Sequence, residues 1–165
     1  MKASDGNIFG KRGLSMSEEN GLGEFFEGWF KTLEKGLEKL DANECSCLFS
    51  ECAKTCSEFV VNCMYRPIFD ECGGDLDKFF ANIHKIDNVD GKVIEPGKSY
   101  ELIFKKCECP VHTEAKVSSP RLCTCSKESM ICVFKALVPD RTFKLEQIST
   151  ILDGSEVCRH MITFD

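Results

Sequence analysis

Two Cys-x-Cys pairs, Cys107/Cys109 and Cys123/Cys125, stand thirteen residues apart in the segment KCECPVHTEAKVSSPRLCTCSK. In extended backbone, residues i and i+2 point to the same side, so each pair can offer two sulfurs to one ion. Two such pairs joined by a loop can supply a tetrahedral sulfur cage for Zn²⁺ or a small iron–sulfur centre, and the metal would order the loop. The same thiols also suit a redox device, or are plain cysteines in a cysteine-heavy chain. Their spacing is tighter than the Cys-x-x-Cys of zinc knuckles. His112, inside the loop, offers an imidazole in place of one sulfur, although a surface histidine is the simpler reading. If the strand before the loop stays regular, Cys107 takes the parity opposite to Tyr100, Leu102 and Phe104. Its sulfur then reaches their side only through a bulge near Lys105-Lys106.

A second constellation lies at the C-terminal end. The segment RTFKLEQISTILDGSEVCRHMITF reads as a hairpin on an Asp153-Gly154 turn. That register sets Ser149 opposite Cys158, Gln147 opposite His160, Leu145 opposite Ile162 and Phe143 opposite Phe164. The apolar end of this face turns inward, which leaves Gln147, Ser149, Cys158 and His160 as a polar patch suited to the floor of a small-molecule pocket. An imidazole in reach activates a thiol, so Cys158 is a candidate nucleophile and His160 a candidate base. The two also suit metal ligation, or a buried cysteine beside a hydrogen-bonded histidine. No glycine-rich phosphate loop, paired-carboxylate motif or His-Glu-x-x-His motif is present.

The elements that must hold these groups can be read from periodicity. Residues 1–20 are polar and form a flexible lead-in. Residues 21–41 form an amphipathic helix with Leu22, Phe25, Phe26, Trp29, Leu33, Leu37 and Leu40 on one face. Its charged face mixes signs, which favours docking on the domain or on a second copy over a membrane surface. Residues 42–165 form one cysteine-rich domain. Its first helix, about Asn43 to Met64, carries a stripe of Cys45, Leu48, Cys52, Cys56, Phe59 and Cys63 expected to face the core, with Cys47 outside it. Asp75 caps a helix bearing Leu76, Phe79, Phe80 and Ile83. Pro96-Gly97 turns a hairpin, and Ser126 caps a helix bearing Met130, Ile131, Phe134 and Leu137. Helices segregated from an antiparallel sheet, arranged as hairpin, helix, hairpin, make an α+β domain.

Composition narrows the partners. The chain has 165 residues, a formal net charge of −6 and scattered basic residues, which argues against nucleic acid. No stretch approaches the ~20 apolar residues that would cross a bilayer, and the N-terminus has no signal-peptide core. A cytoplasmic chain is expected, and there its twelve cysteines stay free thiols.

The closing ILDGSEVCRHMITF, with CECP and LCTCS before it, resembles a superfamily of small-molecule-binding domains. It contains the vinyl-reductase-type (four-vinyl-reductase) domains and the L-2-amino-thiazoline-4-carboxylic acid hydrolases. The resemblance runs over about residues 43–164 and implies an α+β domain, often dimeric, with a pocket between helices and sheet. In its phenol-sensing members zinc is held by an early Cys and by a Glu and two Cys around the final hairpin. Carried onto this chain, the last Cys falls on Cys158 and the early one near Cys123 or Cys125. The middle two fall near Gln147 and Thr150. The resemblance then implies a replacement set of Cys107, Cys109, Cys123, Cys125 and Cys158. His160 stands where the family commonly has Phe.

The expectation is a cytoplasmic small-molecule-binding domain with a cysteine-ligated zinc or iron–sulfur centre. Its candidate partner is a second copy, through the N-terminal helices. The alternatives are a hydrolase acting on a small C=N or C–S substrate through Cys158 and His160, and a thiol redox protein.

Overall fold

The computed structural model describes residues 16–165, with side chains from residue 21 onward apart from Leu22. Most of the expected lead-in over residues 1–20, and the Leu22 side chain, lie outside the described residues. The first amphipathic segment forms α1 (Met16–Leu37). Among its described side chains, those at the C-terminal end are the ones seated on the domain. Leu37 is buried and Phe30 half-buried, and Glu34 and Glu38 accept from Ser118 N (2.7 Å) and the Ser119 hydroxyl. Phe25, Phe26, Trp29 and Leu33 stay exposed.

Asp41 starts α2 (Ala42–Val60) by accepting from the Asn43 and Glu44 amides, while the Glu44 carboxylate takes the Asp41 N–H at 2.8 Å. The helix then widens into one π-type turn (Val61–Tyr65) and runs on as α3 (Arg66–Glu71). The expected inward stripe is corrected here. The buried row is Cys45, Phe49, Ala53, Ser57, Val61 and Tyr65, while Leu48, Cys52, Cys56, Phe59 and Cys63 face outward. A row of four-residue steps is an inclined ridge of the helix surface. A helix that crosses its neighbour at an angle buries that ridge rather than a stripe parallel to its axis. Small side chains in the buried rows, Ala53 and Ser57 on α2 and Ser129 on the later helix α6 (Cys123–Leu137), let the backbones of these two packed helices approach.

Gly73 and Gly74, both at positive φ, stop α3 where most side chains would be strained. Asp75 accepts from Lys78 N at 3.1 Å and opens α4 (Leu76–Asn82), which buries Leu76, Phe79 and Phe80, with Ile83 beneath them. The chain then forms β1 (Val89–Glu95), β2 (Ser99–Phe104), α5 (Pro110–Thr113), α6 (Cys123–Leu137), β3 (Phe143–Ser149) and β4 (Cys158–Phe164). The strands are antiparallel in the order β1-β2-β4-β3, which gives the expected α+β architecture.

The helices cover one face of the sheet. Phe80 stacks on Tyr100 at 4.5 Å and on Phe134 at 5.8 Å between ring centres. Gly91 of β1 lies directly under the α4 segment: a Cβ there would stand 2.5 Å from Phe80 O and 2.7 Å from Ile83 Cγ2. On the far face Glu101, only 2% exposed, is held by Arg159, whose Nε donates at 2.7 Å, and by Lys92 at 3.5 Å. A smaller apolar cluster of Leu37, Cys45, Phe49, Val117 and Leu122 ties α1 and α2 to the segment before α6.

Candidate functional site: the thiol-rich end of the domain

The second Cys-x-Cys pair is not in extended backbone. Ser119 accepts from Arg121 N and starts a 3₁₀ turn (Pro120–Leu122), so α6 opens at Cys123, ahead of the expected Ser126 cap. On a helix, residues two apart point about 200° apart. Cys123 therefore turns to the sheet and Cys125 to α2. The Cys123 carbonyl accepts from Gln147 Nε2 at 3.0 Å, and its thiol lies against Thr150 and within electrostatic reach of Cys158, Cys107 and Cys109. Cys125 lies within electrostatic reach of Cys56, Cys109 and Cys52. Burial is the main cause that pushes the Cys123 thiol up to about 11 and Cys125 up to about 12.

The first pair arrives by a bend. β2 ends at Phe104, and the chain turns at Lys105-Lys106 rather than continuing the strand. Cys107 is thereby brought near Cys158 and Cys123 in spite of its strand parity. Cys109 becomes the residue before α5 and packs with Cys125 on the smaller apolar cluster. Among the described residues, no three His, Cys, Asp or Glu side chains converge closely enough to hold a metal ion. The five expected ligands thus share one end of the domain, but as two diverging groups. His112 is committed locally, its Nδ1 lying 2.7 Å from Val117 O.

The final hairpin keeps part of its expected register. Phe143 faces Phe164, Leu145 faces Ile162 and Gln147 faces His160, but an irregularity follows and Ser149 faces Arg159 instead of Cys158. The cause is local chemistry. Thr150 Oγ1 accepts from Asp153 N at 3.1 Å, and the Asp153 carboxylate accepts from Thr150 N at 2.9 Å. This reciprocal cap stabilises a 3₁₀ turn (Ile151–Asp153) closed by Gly154 at φ 95°, in place of a two-residue turn. Ser149 Oγ donates to Val157 O at 3.0 Å, and Cys158 Sγ accepts from Ile151 N at 3.3 Å.

His160 has no exposed surface. Its Nε2 lies 3.2 Å from Gln147 Nε2, which can only donate, so Nε2 accepts and the proton sits on Nδ1. Nδ1 is buried and has no hydrogen-bond partner among the described residues. Burial, helped by the charge of Lys127, lowers the imidazole to about 4, and burial also raises the Cys158 thiol. Both groups are therefore neutral near pH 7. Each is engaged with another partner, His160 with Gln147 and Cys158 with the Ile151 amide.

The expected pocket floor borders neither of two clefts formed by the described residues. One of about 450 Å³ lies between α1 and residues 118–120. The other, about 260 Å³, is lined by Gly74, Asp77, Gly97, Tyr100 and Arg141 among others. Sequence reading placed Cys52 and Cys56 in the core, and the structure leaves both exposed on α2. Their four-residue spacing was visible, but the assumed direction of the stripe turned them into the core. No described helix is long and apolar enough to cross a membrane.

No protein-family model matches the chain, and no curated protein matches it. Among solved structures, a trafficking protein particle complex subunit 3 from Naegleria fowleri, covalently bound to palmitic acid, is similar at 10% identity. The match covers 88% of this chain and 96% of that one with a TM-score of 0.43, a likeness too distant to assign a family.

Proposed function

We propose that this chain works as an assembly domain that pairs with a second copy of itself through the outer faces of α1 and α2. One observation carries the reading. Of the eight large apolar side chains exposed among the described residues, six lie on these two helices: Phe25, Phe26, Trp29, Leu33, Leu48 and Phe59. Together they expose on the order of 600 Å² of apolar surface. One side of a standard interface buries roughly 800 Å², a little over half of it apolar. The occupant is argued from α1 itself. Beside its aromatic residues lie Gly28 and Gly36, where an added Cβ would meet nothing within 4 Å. One helix thus offers both aromatic knobs and open holes, and a second α1 is complementary to the first.

Sedimentation velocity over a range of protein concentrations tests this. A dimer is expected, with Phe26→Glu and Trp29→Glu each giving monomer at unchanged circular dichroism. A wild-type chain that stays monomeric, or variants that still dimerise, would sink the proposal.

A second reading is the cysteine-ligated zinc or iron–sulfur centre beside a small-molecule site, as in the vinyl-reductase-type domains. It is favoured by the gathering of Cys107, Cys109 and Cys158 about Cys123. It requires the bend at Lys105-Lys106 to close further on loading. Stoichiometric metal in anaerobically purified protein, lost in Cys107→Ser and Cys158→Ser, is the expected result. Metal-free protein that is fully folded would remove this reading.

A further inference from the structure

The segment Ser118-Ser119-Pro120-Arg121 latches the end of α1 onto the domain. Ser119 Oγ accepts from Arg121 N at 3.3 Å, which starts the 3₁₀ turn before α6, and its O–H donates to the Glu38 carboxylate just beyond α1. Glu38 also lies 3.7 Å from Arg121 Nε, and Glu34 one turn earlier accepts from Ser118 N at 2.7 Å. Beneath this latch Leu37 packs with Cys45, Phe49, Val117 and Leu122. Ser119 itself is buried, but Ser118 and Pro120 on either side are exposed, and the Ser119 backbone is extended at φ −61° and ψ 128°. Ser119-Pro120 is the one Ser-Pro or Thr-Pro pair in the sequence.

We propose that Ser119 is a phosphorylation site for a proline-directed protein kinase, and that its phosphate unlatches the end of α1. Such a kinase takes an extended Ser-Pro dipeptide, the conformation that Pro120 imposes on the residue before it. The hydroxyl comes within reach when the last turn of α1 lifts, since the Glu38 carboxylate caps it. The Ser119 O–H bond breaks and an O–P bond forms. A nucleoside triphosphate supplies the terminal phosphoryl group, and a nucleoside diphosphate and a proton leave. The ester has no proton to donate to Glu38, adds roughly two negative charges beside Glu34 and Glu38, and offers Arg121 a stronger partner than a carboxylate. Lys31 and Lys35 line the same cleft, but Glu34 and Glu38 are the α1-side groups hydrogen-bonded to the segment itself. The proposal rests on this latch and needs neither a dimer nor a metal.

The test treats the folded, reduced full-length chain with a purified proline-directed kinase and ATP. Peptide mass spectrometry should find the phosphate on Ser119. Unlatching is read at Cys45, buried in the cluster with Leu37, by its rate of alkylation. Phosphorylation should raise that rate at least ~10-fold, the scale of one lost hydrogen bond to a charged group, and leave the rate at exposed Cys63 unchanged. Glu38→Gln is the discriminating variant. Its side-chain amide can accept from the free hydroxyl or donate to the phosphate, so phosphorylated Glu38→Gln should keep Cys45 protected. The unsubstituted protein reports the effect even where that variant fails to fold. No phosphate on Ser119 of the folded chain, unchanged or slower alkylation of Cys45 after phosphorylation, or the same increase in Glu38→Gln as in the wild type would overturn the proposal.

Discussion

Gln147 and His160 face each other across β3 and β4 with their Nε2 atoms 3.2 Å apart, and this contact fixes the neutral imidazole with its proton on Nδ1. A histidine lowered from 6.5 to about 4 on folding favours the native state fully above pH 6.5. That contribution is lost as the pH falls toward 4, because the unfolded chain takes up the proton first. Between pH 7 and pH 5 the loss from this group is about 2 kcal/mol. His160→Phe removes it, so the stability difference between variant and wild type, measured by urea unfolding, should move by that amount in the variant's favour on acidification. A difference independent of pH would show that His160 is protonated or solvated in the fold.

Glu101 is almost fully buried on the far face of the sheet, with Arg159 as its closest partner. Arg159→Ala should cost about 3 kcal/mol, because breaking one side of such a pair strands the other charge. The double substitution Glu101→Leu with Arg159→Met should recover most of it. A thermodynamic double-mutant cycle from chemical unfolding reads both values.

Gly91→Ala places a methyl group against Phe80 O and the Ile83 side chain, and the nearer contact is backbone. A loss of about 2 kcal/mol or more is expected, as for an overpacked core. Thermal unfolding monitored at the aromatic signal is sufficient to detect it.

The burial register of α2 can be checked by a contrast of neighbours. Ala53 has no exposed surface and Cys52 is exposed. Ala53→Leu should destabilise by about 2 kcal/mol through overpacking, and Cys52→Ser should stay within ~0.5 kcal/mol. The reverse order would restore the sequence-derived stripe.

The features written in local chemistry were legible from the sequence. Asp75 caps α4, Pro96-Gly97 turns the first hairpin with Gly97 at φ 73°, and the inner pairs of the last hairpin fall in register from Phe143 to Gln147. What failed depended on partners distant in sequence or on competing local bonds. The direction of the α2 stripe is set by the angle at which another helix crosses it, which a 3.6-residue period does not contain. The last turn was decided by the side chains of Thr150 and Asp153, whose mutual cap outweighed the Asp-Gly signal. At the second Cys-x-Cys pair the backbone conformation was misread. Extended backbone was assigned to Cys123 and Cys125, and the 3₁₀ turn at Pro120 placed them on a helix instead.

The widened turn at Val61–Tyr65 has a consequence for the history of the chain. A π-type turn accommodates one residue more than the regular helix needs while keeping the flanking faces in phase. Asn62, exposed within that turn, marks a point where a relative can be one residue shorter without repacking Val61, Tyr65 or Phe69. Elsewhere in α2 the same deletion would rotate every later side chain by about 100°. An alignment gap tolerated there, and resisted elsewhere along α2, would be the evolutionary trace of an absorbed insertion.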